Sequence, residues 1–232
     1  MAIPFPRRRV KKMVALEELA ILERTYPEAV TALRYENPFQ LLIAVILSAQ
    51  CTDARVNMTS PILFAQYPTP QALAAARQPD VEKIIKSCGF FRVKARNIIN
   101  CARDLVGRFG GKVPADREAL ESLAGVGRKT ASVVMAAAFE EAALAVDTHV
   151  FRVSHRLGLT LGKTPRQVEE DLTALVPRVK WRLATHWLIL HGRAVCKAPV
   201  PRCSVCPVNH LCPTPAIIAR QKKRATVRAT RR

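Results

Sequence analysis

The stretch Leu123-Ala124-Gly125-Val126-Gly127-Arg128-Lys129-Thr130-Ala131 decides how the chain is read. Upstream of it, Asp116 through Leu123 reads as a short helix that Asp116 can cap, with Ala119, Leu120 and Leu123 on one face. Two glycines one residue apart then turn the chain, because glycine takes positive φ freely and lets another backbone come close. A second helix starts at about Gly127 and continues as an apolar pattern from Ser132 through Phe139. Its first N–H groups have no acceptor inside the helix and point outward beside the positive end of the dipole, a ready site for a phosphate oxygen. Helix, glycine turn and helix, with Arg128 and Lys129 at the second start, make a small device for gripping a nucleic-acid backbone.

Lys129 is in an unusual place for a lysine. The first turn of a helix carries partial positive charge and Arg128 is its neighbour, and both effects disfavour the ammonium form. A neutral amine can attack a sugar carbon and form a Schiff base. A lone lysine at a helix start more often simply neutralises a phosphate. Asp147, eighteen residues on in Asp147-Thr148-His149, could come back to face Lys129. It can equally cap a helix over 148–157, and the two roles are compatible.

Composition narrows the partners. Lys and Arg number 37 against 18 acids, giving a net charge of +19, and nucleic acid is the partner such a surplus suits best. An anionic membrane surface is the other. The 232 residues are enough for one large or two small domains with a real core, and 49% apolar residues with only 9 Gly favour a helical fold over a β one. No apolar run reaches spanning length and no apolar signal core follows the first basic residues. The expectation is a soluble, cytoplasmic protein with no membrane partner, associated with the nucleoid in a bacterial cell.

Taken in order, residues 1–12 carry Arg7, Arg8, Arg9, Lys11 and Lys12 beside Pro4 and Pro6, which reads as a flexible basic arm serving either DNA or solubility. Helical periodicity begins near Met13 and stops at Pro27. Asn37-Pro38 is a cap followed by a first-turn proline, and Phe39 through Ala49 is apolar on nearly every side, the centre of a core. Ser48 through Asp53 is polar and opens a helix ending before Pro68. Thr69-Pro70 and Pro79-Asp80 start short helices, Gly89 through Ala95 starts a long amphipathic one ending near Gly110-Gly111, and Thr164-Pro165 starts another. Lys180 through Arg193 is helical, and the basic tail from Arg220 reads as loosely ordered. No strand alternation occurs, so the fold class is all-α.

Cys196, Cys203, Cys206 and Cys212 follow C-x6-C-x2-C-x5-C within seventeen residues, with Pro199, Pro201, Pro207 and Pro213 interleaved. Four thiolates on such a loop can wrap an iron–sulfur cluster or a tetrahedral zinc. Structural zinc usually takes two close pairs, and only Cys203 and Cys206 form one here, which favours iron–sulfur without excluding zinc. Arg193, Lys197 and Arg202 on the same segment make a basic hairpin that can meet phosphates. Cys51, Cys88 and Cys101 fall outside the pattern and read as small buried hydrophobes.

Leu47 through Asp53 (LSAQCTD), Leu123 through Ala131 (LAGVGRKTA), Val146 through Val153 (VDTHVFRV), His186 through Arg193 (HWLILHGR) and the four-cysteine loop together resemble the endonuclease III family over about residues 14–212. That family consists of helix-hairpin-helix glycosylase/AP lyases that remove oxidised pyrimidines from DNA. The resemblance implies a two-lobed all-α fold with DNA between the lobes. One lobe is a six-helix barrel carrying the hairpin, here 31–141; the other, 13–30 with 142–215, holds a 4Fe–4S cluster on Cys196, Cys203, Cys206 and Cys212. The basic arm 1–12 and the tail 216–232 lie outside both. It further implies a monomer acting on double-stranded DNA with an oxidised pyrimidine or an abasic site, Lys129 as nucleophile and Asp147 as its electrostatic and proton-moving partner, after the base is flipped out. Gln50 falls where the family fills the gap left by that base, and Phe90 on a wedge position. Gly125, Gly127, Arg128 and Thr130 fall on the phosphate-gripping hairpin, and His149 near the site, where a capping or core role is as good a reading. Members of the family have Leu-Tyr-Asn where this chain has Phe90-Phe91-Arg92, a change that bears on lesion preference. Ala124, where the hairpin often has proline, should loosen the turn.

Two rivals remain. A monofunctional adenine-mismatch glycosylase shares hairpin and cluster but uses a glutamate on the central apolar helix, and Leu42 through Ile46 contains no acid. It also lacks the lysine and carries a long extra C-terminal domain. A non-catalytic DNA-binding module would need neither Lys129 nor Asp147.

Overall fold

The computed structural model describes residues 3–28 and 31–229. Among them the chain forms twelve α-helices: α1 (Lys12–Thr25), α2 (Pro38–Leu47), α3 (Asp53–Gln66), α4 (Pro70–Ala74), α5 (Gln78–Ile85), α6 (Phe91–Phe109), α7 (Arg117–Glu121), α8 (Arg128–Ala138), α9 (Thr148–Leu157), α10 (Pro165–Leu175), α11 (Trp181–Ala194) and α12 (Thr214–Ala229). The chain divides into two compact units, Thr31–Ala143 and Met1–Val30 with Leu144–Arg232, each with its own core.

In the first unit, Asn37 starts α2 by accepting the Gln40 N–H at 3.0 Å, and Pro38 supplies a preset φ at the first helical position. Every residue from Leu41 through Leu47 is buried, and α3, α6 and α8 surround the helix. A helix enclosed on all sides has no use for a polar face, which is why its sequence shows none. Thr52 and Thr69 cap α3 and α4 in the same manner as Asn37.

In the second unit, α11 is the central element, packed by α1 and α9, with Trp187 and Leu188 inside. Thr164 and Gln167 form a reciprocal capping box ahead of α10, so this start is written in side chains as well as in Pro165.

Two expectations fail at the chain ends. The segment expected to be a flexible arm is docked on its own unit: the Phe5 ring stacks on His155 with centroids 4.5 Å apart, Pro6 is buried, the Val10 N–H donates to the Gly158 carbonyl at 3.0 Å, and Arg9 pairs with Asp171. Its apolar residues outweigh the basic ones as a reason to fold. The tail expected to be loose from Arg220 continues α12 to Ala229. Thr214 anchors that helix, donating to the Arg156 carbonyl at 2.6 Å, and the Arg, Lys, Gln and Ala that follow are good helix formers.

Candidate nucleic-acid interface and cysteine centre

The hairpin is built from side-chain caps and one glycine. Asp116 accepts the Ala119 N–H at 2.8 Å and starts α7, and Arg117 reaches the Ser132 hydroxyl of α8 at 2.9 Å, fixing the two helices together. Between them Val126 N–H donates to the Leu123 carbonyl at 3.1 Å, closing a turn in which Gly125 takes φ +77°. A Cβ on Gly125 would also stand 2.9 Å from the Asn97 Cβ, so the turn needs glycine both for its dihedral and for its close approach to α6. Ala124 does not loosen this turn. Its N–H donates to the Asp104 carboxylate of α6 at 3.1 Å, an anchor that proline could not make.

Gly127 begins α8 in an extended conformation with no side-chain cap, and the first intrahelical bond runs from Ala131 N–H to the Gly127 carbonyl at 3.0 Å. The amides of the first turn therefore have no acceptor within the helix. Arg128 and Lys129 are exposed around them, Gly127 leaves open space above its own Cα, and Thr130 is half-buried.

In the same unit three non-glycine residues adopt left-handed backbone, among them Gln50 at φ 52°, three residues after α2, and Phe90 at φ 45°, directly before α6. Both are exposed, and Phe90 keeps 65% of its surface in solvent. Each such conformation costs on the order of 1–3 kcal/mol and persists where the surroundings impose it, commonly at functional sites. Glu140, at φ 55°, is a third. Phe91 behind Phe90 packs on the core, and the Arg92 guanidinium lies 5.0 Å from its ring centroid.

In the other unit Asp147 caps α9. Its Oδ1 accepts the His149 and Val150 N–H groups, both at 2.8 Å, and the residue is half-buried. The cap accounts for one carboxylate oxygen only. The His149 Nδ1 lies 3.1 Å from the Arg152 guanidinium, and burial lowers the His149 pKa, with Asp147 opposing. Gly192 lets this pair sit against α11, since a Cβ there would be 3.0 Å from His149 Nδ1.

Cys196, Cys203, Cys206 and Cys212 line one pocket together with Arg156, His191 and Arg202. Burial pushes the Cys206 thiol up to about 11 and the Cys212 thiol to about 12, and raises Cys203. Burial disfavours the anions of these three thiols, which fits a bound cationic group that takes them as thiolates. Arg156, which the sequence reading missed, is the hub. It is buried, donates to the carbonyls of Cys196, Lys197 and Pro199 at 3.3, 2.7 and 3.0 Å, and reaches the Cys196 sulfur at 3.6 Å. Its own carbonyl accepts from the Cys212 thiol at 3.3 Å. The signal available was an arginine one turn beyond Arg152, in line with the buried Val153 and Leu157 of the same helix. Arg193, Lys197 and Arg202 remain exposed on this segment.

An uncapped hairpin helix bearing an exposed lysine, strained exposed residues in the same unit and four cysteines lining one pocket in the other define a helix-hairpin-helix DNA-repair protein. The description "HhH-GPD superfamily base excision DNA repair protein" matches residues 43–178. Endonuclease III of Synechocystis sp. is 50% identical over 205 residues, which cover 88% of this chain and 94% of that one. A solved non-covalent endonuclease III–DNA complex superposes with a TM-score of 0.87 at 42% identity, covering 92% of this chain and 99% of the other. A trapped endonuclease III–DNA covalent intermediate gives 0.86 at 44% identity, covering 88% and 97%. The chain belongs to the endonuclease III family of the HhH-GPD superfamily, base-excision-repair enzymes with DNA glycosylase and AP lyase activity.

Proposed function

We propose that the chain excises oxidised pyrimidines from double-stranded DNA and cleaves the resulting abasic site, with Lys129 as nucleophile. The observation that carries this is Lys129 itself, exposed in the first turn of an uncapped hairpin helix, in a family of which one member has been trapped covalently on DNA. The Lys129 amine attacks C1′ of the flipped nucleoside and the glycosidic bond breaks, the base leaving with a proton. Ring opening gives a Schiff base. Loss of a C2′ proton then expels the 3′-phosphate by β-elimination, and water returns the free amine. Asp147 stabilises the positive charge that develops on the sugar, using the carboxylate edge that its cap leaves over, and helps move protons. His149, next to this cap, contacts the DNA.

The amides from Gly125 to Thr130, with Arg128, hold a phosphate of the strand. Gln50 occupies the gap left by the flipped base and Phe90 wedges between neighbouring bases, tasks that suit side chains projected by strained, exposed backbone. The four cysteines would hold a 4Fe–4S cluster that would cross-link the loop, while Arg156 fixes the loop carbonyls. The protein works as a monomer in the cytoplasm, associated with the nucleoid in a bacterial cell.

Borohydride trapping on a duplex with one thymine glycol tests the reading, comparing wild type with Lys129→Gln and Asp147→Asn. A covalent adduct with wild type that disappears in Lys129→Gln is the expected result. Base release that survives Lys129→Gln without any wild-type adduct would assign a monofunctional enzyme instead.

A further inference from the structure

His191 and Tyr26 take no part in the proposed reaction, yet they stand against the cysteine pocket in a fixed arrangement. His191 faces that pocket from α11, buried at 1% exposure, and its Nε2 lies 3.6 Å from the Cys206 sulfur. Its Nδ1 lies 3.2 Å from the hydroxyl of Tyr26, the residue that closes α1 and comes from 165 positions away in the chain. The two rings meet edge to face with centroids 6.1 Å apart. The backbone of His191 serves the same loop, its carbonyl accepting the Cys196 N–H at 2.8 Å. That carbonyl bond survives any change of side chain, so the ring contact to Cys206 can be altered by itself.

The chemistry of the three groups fixes the direction of both bonds. A cysteine sulfur that binds a metal has given up its proton and can only accept. Nε2 must then carry a ring hydrogen. An imidazole buried this deeply is neutral and carries only that one, so Nδ1 accepts from the Tyr26 O–H. The two bonds reinforce each other, because a hydroxyl that donates to Nδ1 draws charge from the ring and makes the Nε2–H a better donor. We propose that Tyr26 and His191 act as a relay that donates a hydrogen bond to the Cys206 thiolate, raising the reduction potential of the iron–sulfur cluster and slowing its oxidative loss. A hydrogen bond to a ligating sulfur withdraws charge from it, which favours the reduced, more negative state and makes oxidation harder. Tyr26 and His191 are therefore positioning residues, acting through Cys206.

The inference rests on the four cysteines holding a 4Fe–4S cluster, a reading that iron and sulfide analysis of the purified protein tests separately; zinc, or no metal, in place of iron overturns both. For iron-loaded wild type, Tyr26→Phe, His191→Gln and His191→Leu, the midpoint potential is measured by voltammetry and the bleaching of visible absorbance by ferricyanide is timed. Glutamine offers an N–H at the position of the imidazole Nε2, and leucine offers none. His191→Leu should lower the potential and bleach several-fold faster, Tyr26→Phe should move the same way by less, and His191→Gln should stay near wild type. A wild-type potential in His191→Leu overturns the proposal. So does a His191→Gln potential as low as that of His191→Leu, which would make the shape of the ring, not its N–H, the cause. If His191→Leu fails to fold or to load iron, Tyr26→Phe decides, and an unshifted potential there overturns the relay.

Discussion

Gly125 and Gly127 stand two residues apart in one turn, yet the structure asks different things of them. Gly125 sits at positive φ with its missing Cβ pressed against Asn97, whereas Gly127 has negative φ and open space. Gly125→Ala should therefore cost about 1–3 kcal/mol of stability through strain and collision together. Gly127→Ala should cost only a few tenths to about 1 kcal/mol, yet it places a methyl where a phosphate has to approach the amides. Urea unfolding paired with DNA titration separates the two: the first variant loses stability and affinity, the second mainly affinity. Equal stability losses would mean that the turn is held by something other than the Gly125 conformation.

At the scale of elements, α1 carries an anomaly that its pattern hides. Glu18 lies among Ala15, Leu19 and Leu22 with both carboxylate oxygens buried and unbonded, and burial raises its pKa to about 8. Between the ordinary carboxylate value and about 8 the folded protein holds a proton that the unfolded chain has released, so stability falls as pH rises through that window. Glu18→Gln should remove the slope. Unfolding free energies from urea titration should match wild type at about pH 5 and exceed it at about pH 9, by on the order of 2–4 kcal/mol. Parallel pH profiles would show that Glu18 stays ionised.

Helix starts were legible because each is written locally: Asn37-Pro38, Thr69-Pro70, Asp116 and Thr164-Pro165 all cap where the sequence places them. The hairpin and the cysteine loop were legible for the same reason, each being a short contiguous signal. What sequence did not reveal is long-range. The docking of Phe5 on His155 and the hold of Arg156 on the cysteine loop depend on which surfaces the fold brings together. Charge misled at both ends, because burial and helix propensity outweighed repulsion there.

For the molecule as a whole, the net charge of +19 is a statement about how DNA is held. Phosphates neutralised by Lys and Arg release condensed counterions, so affinity falls linearly on logarithmic axes with a slope of roughly −0.9 per phosphate contacted. Much of the surplus lies on exposed residues that meet no reacting atom, such as Arg193, Lys197 and Arg202, and contributes grip regardless of sequence. Arg128→Ala should therefore shallow the slope by about one contact while leaving the order of preference among lesions intact, because a phosphate contact positions the protein without reading a base. Phe90→Ala should do the reverse, weakening binding at damaged sites with little effect on the slope. Titrations of damaged and undamaged duplexes between about 50 and 200 mM salt test both. A flat plot for wild type would defeat the phosphate-grip account of the hairpin. A changed slope in Phe90→Ala would mean that this side chain controls how closely the backbone seats rather than wedging between bases.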